Sequence, residues 1–301
     1  MMCVLGGFYC NKLAIEAARK HDMGMFIISP TDKGGQLYMP PKKFGEAIRH
    51  LRPLLVAFEA AFVTLSGDFW VIFGLIFGDG FTADACGELS PIDFNNLWLL
   101  CDPAIHTLVV GAARPSDFDA HVQSIIKYEQ RGELVPPIEA KLNQMLVETH
   151  GAEFMANWWK GLPDPWGNVN GVAPWTDTAK NPKVINIHGV VWLWMISKAW
   201  DFLGFGRYRY EEHLGNAKNW AADKSDDENV AKQKQSWCPG RSIPDGEDAK
   251  DILTPLVAGS PTPDKIMEIL TEAHEMFKAD SEVEMPEYAY DMRPDVEFPR
   301  R

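Results

Sequence analysis

The run Leu108-Val109-Val110-Gly111-Ala112-Ala113-Arg114-Pro115-Ser116-Asp117-Phe118-Asp119-Ala120-His121-Val122 reads as a strand, a tight turn and the start of a helix. Its β-rich apolar residues end in a glycine and small residues, which let backbone come close to a ligand, and Pro115 and Ser116 suit a helix's first turn. Turn N–H groups and the positive end of a helix dipole attract an anion, and the Arg114 guanidinium can fork onto a phosphate. Two readings stay open on these residues alone: a phosphate site, or an ordinary strand-to-helix junction with an exposed arginine.

Working upstream, Glu88 to Cys101 suggests a helix with Ser90 as its cap and Pro91 in the first turn, leading straight into the strand from Ile105. Met25-Phe26-Ile27-Ile28 is a continuous apolar strand of the kind buried on both faces of a parallel sheet. Asn11 to His21, before it, has helical spacing, with Leu13, Ala14, Ala17 and Ala18 on one side. The loop Ser29-Pro30-Thr31-Asp32-Lys33-Gly34-Gly35 leaves the carboxyl end of the first strand, where ligand-binding loops of alternating α/β folds gather. A turn made of turn-forming residues is the competing reading of that loop. The order helix, strand, loop, helix, strand, loop, helix is the repeating unit of a parallel α/β fold.

With 301 residues and 46% apolar content the chain can bury a substantial core. Its net charge of −13, from 42 acidic against 29 basic residues, argues against a nucleic-acid-binding surface. Cys3, Cys10, Cys86, Cys101 and Cys238 are scattered and odd in number, with no C-x-x-C pair, so neither a metal cluster nor a disulfide framework is expected. A reducing compartment such as the cytoplasm fits, and Met1 to Gly7 lacks the basic start and cleavage site of a secretory signal. Phe69-Trp70-Val71-Ile72-Phe73-Gly74-Leu75-Ile76-Phe77 carries no charge but is too short to cross a bilayer. Extending it back to Leu54 brings in Asp68 and Glu59, so a buried or partner-facing hairpin is preferred to a membrane span.

The segments Met23 to Gly35 and Pro103 to Pro115, in that order, resemble the last third of the aldo-keto reductase barrel. The likeness covers residues 8 to 128 and continues more loosely to about residue 278, where a subgroup of the family carries a helical extension. In that family a Ser-Pro after the seventh strand and a Gly-Ala turn after the eighth hold NADP(H). The resemblance therefore implies that Ser29, Pro30, Thr31, Asp32, Lys33 and Gly34 line the pyrophosphate side. It implies equally that Gly111, Ala113 and Arg114 form the turn beneath the adenosine phosphate, Arg114 taking the 2′-phosphate. Asp117 and His121 fall where the family usually has Gln or Glu and Asn, and His121 is open to a second reading as a solvated helix residue. Ile28 replaces an aromatic that stacks on the nicotinamide in many members.

The departures from the family are as informative. Its members reduce carbonyls by hydride transfer, with a Tyr acid assisted by a Lys–Asp pair and a His near the ends of earlier strands. None of the four has a counterpart here, and Tyr9 and Tyr38 lie outside any matching motif. A complete (β/α)8 barrel needs about 250 residues. The fold class expected is accordingly α/β, a partial TIM barrel consisting of the last strands and helices, followed by a mainly α-helical extension. Residues 1–135 form the barrel fragment, 136–278 the extension and 279–301 a disordered acidic and proline-rich tail. Residues 55–86 have no family counterpart and read as an insertion, of the kind unspliced sequence leaves; on the same reading the starting methionine is an artefact of gene assignment. The fragment's open sheet edge calls for a protein partner or self-association.

In the second half, Pro136 to Thr149 is expected to be an amphipathic helix through Ile138, Leu142, Met145 and Leu146. Trp158, Trp159, Trp166, Trp175, Trp192 and Trp194 are read as core packing rather than a carbohydrate platform. Val184 to Phe205 reads as a buried helix, with Asn186 and His188 as polar contacts to the barrel. Arg207-Tyr208-Arg209-Tyr210 reads as an exposed helix end in preference to a binding patch, 222–235 as a surface loop, and Pro263 to Phe277 as a helix. The functional expectation is an aldo-keto reductase-type oxidoreductase using NADP(H) on an aldehyde or ketone, incomplete in this chain. The alternative is a non-catalytic interaction protein built on a degenerate barrel fragment.

Overall fold

A computed structural model describes residues 12–28, 89, 91–111, 115–163, 180–207, 209–210, 225, 228, 240–244, 246 and 249–278. The described residues are mostly helical with one small parallel sheet, a mixed α/β composition. They fall into two compact units, one ending at Gln144 and one beginning at Met145. Outside them lie the proposed insertion at 55–86, the apolar run Phe69 to Phe77, most of 222–235, the tail from residue 279, and Tyr9, Tyr38, Trp166, Trp175 and Tyr208.

The first unit opens with helix α1, Lys12–Lys20. The chain then turns through Asp22 at φ 52°, where the Met23 N–H donates to Ala18 O and the Asp22 N–H to Arg19 O. That pair of bonds closes a helix in a Schellman motif, with Asp in the left-handed seat glycine usually takes. Strand β1, Met25–Ile28, follows. Helix α2, Pro91–Leu100, begins on the proline that the sequence places in a first turn. Strand β2, Ile105–Val109, lies parallel to β1, pairing Phe26 with Thr107, Ile27 with Leu108 and Ile28 with Val109. Asp102 fixes the corner before β2: one carboxylate oxygen accepts from the Ala104 N–H and the other from Arg19 at 2.6 Å.

One face of the pair, Ile27 and Leu108, packs with Trp98 and Tyr128 on the buried Leu99, Leu100 and Ile105. The opposite face leaves Phe26 and Val109 exposed. Helix α3, Pro115–Ile126, packs on α2. A 3-10 turn, Tyr128–Gln130, leads into helix α4, Arg131–His150, which runs across the boundary between the units.

Two sequence expectations are corrected here. Helix α4 starts at Arg131 and carries Pro136 and Pro137 inside it, not at its beginning. Five residues of helix precede the prolines because Arg131 anchors the start: its guanidinium donates to Leu100 O and Tyr128 O and lies 3.7 Å above the Tyr128 ring. Secondly, Arg209 and Tyr210 are not an exposed helix end; both are buried, Arg209 against the Phe205 ring. The Tyr210 hydroxyl accepts from the Ile243 N–H and lies 2.7 Å from His274 Nδ1, so its oxygen is engaged twice inside the protein. Arg207 donates to Met276 O.

The second unit is built on helix α6, Ile187–Trp200, preceded by the short α5, Ala152–Asn157. Twelve of the fourteen α6 residues are buried, as expected of a helix apolar on most faces. The Asn186 side-chain oxygen accepts from the Gly189 N–H and caps the helix, while His188 lies beside the Trp158 ring. Trp158, Trp192, Trp194 and Trp200 are core residues. Asn181 clamps Ile185 with reciprocal bonds, which helps hold buried Val184 at φ 54°, a costly conformation for a β-branched residue. Helix α7, Ala249–Val257, and α6 both pack on helix α8, Pro263–Phe277, whose inner face is Ile266, Ile269, Leu270, Ala273, Met276 and Phe277.

At the end of α4, His150 donates to Met195 O and lies against the Trp194 ring. Burial lowers its pKa below the ordinary 6.5 and the nearby Lys198 charge adds to this, against the opposing bond to Met195. The native state thus binds fewer protons than the unfolded chain as acid is added. The stability His150 contributes is complete above the unfolded value and is lost as the pH falls through the folded one. Chemical denaturation should show the second unit losing stability as the pH falls below about 6.5, and His150→Gln should flatten that part of the profile. An unchanged slope in the variant would contradict the assignment.

Candidate functional site

Parallel pairing sends both strands out of the sheet at one end, because Ile28 and Val109 are partners at the last register position. After β2 the chain passes through Val110 and Gly111 toward α3. After β1 it enters Ser29-Pro30-Thr31-Asp32-Lys33-Gly34, which lies outside the described residues, as do Ala113 and Arg114. Asp117 lies on the first turn of α3. Of the residues expected to hold a cofactor, the structure brings two together, Gly111 and His121.

Gly111 is exposed, and a β-carbon there would meet nothing within 4 Å, so packing does not demand the glycine. His121 is not a solvated helix residue. It is 7% exposed, with Nε2 at 3.3 Å from Gly111 O and Nδ1 at 2.9 Å from the Asn96 side-chain nitrogen. The second helical turn of α3 thereby reaches back to the corner that follows β2.

Behind His121 lies a buried polar chain that periodicity does not reveal. Asn96 donates to Ser124 Oγ at 3.1 Å, Ser124 Oγ donates to Asp93 Oδ1 at 2.9 Å, and Lys127 Nζ donates to Asp93 Oδ2 at 2.8 Å. Ser124 Oγ also lies 3.1 Å from Ala120 O, one turn earlier on its own helix. Asp93 and Asn96 come from α2, His121 and Ser124 from α3, and Lys127 follows α3 directly. Asp93, Asn96 and Ser124 are at most 4% exposed. The available sequence signal was Asp93, Asn95 and Asn96 set among Ile92, Phe94, Leu97, Trp98, Leu99 and Leu100: amides and a carboxylate inside an apolar helix need partners from elsewhere.

Helix α3 is also arranged unusually for a surface helix. Its polar His121 and Ser124 point inward, while Phe118, Val122, Ile125 and Ile126 are more than half exposed on a neighbouring face. Chemically, the arrangement ties the Gly111 carbonyl after β2 to α3. Among the described residues, no group of three or more His, Cys, Asp or Glu is placed to hold a metal, and no helix is long and apolar enough to cross a membrane. Comparison of the chain with protein-family models, curated proteins and solved structures gives no match.

Because Ser124 serves Asn96 and Asp93 at once, Ser124→Ala should leave two buried polar groups short of a partner. A loss of about 1–3 kcal/mol by urea denaturation is expected. A loss within about 0.5 kcal/mol, the usual range of an inert surface change, would show that the chain of bonds does not stabilise the unit.

Proposed function

We propose that the first unit is the carboxyl-terminal part of an aldo-keto reductase-type (β/α)8 barrel and that its corner after β2 holds NADP(H). Ser29, Pro30, Thr31, Asp32, Lys33 and Gly34 line the pyrophosphate, Gly111 and Ala113 form the turn, and Arg114 takes the 2′-phosphate, with Asp117 and His121 on the adjoining helix. In a complete barrel the bound cofactor would deliver hydride to an aldehyde or ketone in the cytoplasm; this chain carries the cradle without the Tyr, Lys, Asp and His that use it. The observation that carries the reading is the parallel β1–β2 pair, each strand set among helices in the expected order, with both strands leaving the sheet at one end. It supports a shared ligand edge for the two loops that resemble the family's cofactor motifs.

A second reading is favoured by one specific feature. Phe26 and Val109 on the sheet, and Phe118, Val122, Ile125 and Ile126 on α3, are large apolar side chains at least half exposed in the first unit. A non-catalytic interaction protein would use such surface on a protein partner.

Fluorescence titration of the purified chain with NADPH separates the two. Saturable binding, weakened roughly tenfold or more by Arg114→Ala through loss of a charged bidentate contact, is expected. No binding at millimolar cofactor would overturn the NADP(H) reading and favour the interaction protein. Carbonyl turnover above background would contradict the absence of the catalytic group.

A further inference from the structure

The bonds around His121 have only one consistent direction. The Asp93 carboxylate can only accept, and it takes Lys127 on one oxygen and the Ser124 hydroxyl on the other. A hydroxyl has one proton, and Ser124 spends it on Asp93 or on Ala120 O. Toward Asn96 the Ser124 oxygen must therefore accept, which makes the Asn96 atom facing it the amide nitrogen. The same nitrogen lies 2.9 Å from His121 Nδ1, and its second proton points there, so Nδ1 is the acceptor. A neutral imidazole accepting at Nδ1 carries its proton on Nε2, where it donates to Gly111 O.

We propose that His121 is a positioning residue for the turn after β2, fixed in its Nε2–H tautomer by Asp93 through Ser124 and Asn96, and that it acts on the nucleotide through Gly111 rather than by touching it. This rests on the NADP(H) reading. Both ring nitrogens are engaged within the protein, one with Asn96 and one with the corner's own carbonyl. Holding the Gly111 carbonyl toward α3 fixes that peptide plane and so limits the orientations open to the turn that follows. A turn fixed before the phosphate arrives binds it more tightly than one ordered on binding. The relay also gives the corner a determinant on another helix: Asn96, oriented by Ser124, decides which ring nitrogen of His121 carries the proton, and so whether a donor or an acceptor faces Gly111.

Two readouts on the full chain test this. Nitrogen-15 imidazole spectra, with the His121 signal assigned among the eight histidines by its loss in His121→Phe, should show the Nε2–H tautomer in the wild-type chain. An Nδ1–H tautomer there overturns the relay, whatever the cofactor result. In NADPH titrations, His121→Phe, which keeps the ring shape without donor or acceptor, should bind about tenfold more weakly. His121→Gln, which offers one acceptor and one donor, should recover most of that loss. A Phe variant binding as tightly as wild type overturns the positioning role, and so does a Gln variant as weak as Phe. If the wild-type chain itself does not bind NADPH, the cofactor reading falls, and the spectrum alone decides the relay.

Discussion

Asp93, Asn96, His121 and Ser124 are buried where α2 meets α3, and burial removes the water that would otherwise satisfy them. They find partners in one another and in Lys127, Ala120 O and Gly111 O, while Asn96 Oδ1 has none among the described residues. That requirement fixes more than local geometry. It sets the register of α3 on α2, because His121 and Ser124, one turn apart, must both reach Asn96. It also ties the corner after β2 to the same helix pair through Gly111 O. A core of Leu99, Leu100 and Ile105 alone would tolerate small slides of α3; a directed set of hydrogen bonds does not, because a half-satisfied network costs more than an apolar one.

Much of the first unit was legible in the sequence. The apolar run Met25 to Ile28 and the strand signal from Ile105, each following helical spacing, pointed to a parallel pair, but not to its exposed face: Phe26 and Val109 are open where burial on both faces was expected. Pro91 and Pro115 mark two helix starts through chemistry the sequence states directly. The polar chain was not legible, since its members are spread over two elements and period alone cannot pair Asn96 with His121. Proline misled in α4, where Arg131 anchors five residues of helix ahead of Pro136. Arginine misled at Arg209, a residue type that is mostly solvated but here lies buried beside Phe205.

The two units solve the burial of polar groups by different means. In the second, single residues satisfy themselves locally: Asn186 caps its own helix, Asn181 closes on Ile185, and Tyr210 is held between the Ile243 amide and His274. In the first, bonds are shared along a line that ends at the Gly111 carbonyl. A line of that kind ties a residue on one helix to the carbonyl that follows a strand. The exposed Phe118, Val122, Ile125 and Ile126 belong to the same helix as His121 and Ser124.

The central claim is that Asp93 and His121 are coupled through Ser124 and Asn96. A double-mutant cycle in urea denaturation, using Asp93→Ala, His121→Ala and the pair, tests it most directly. The two losses should fall short of adding by about 1 kcal/mol or more, because either change alone disrupts the same line of bonds. Losses that add to within about 0.3 kcal/mol, as for independent sites, would contradict it.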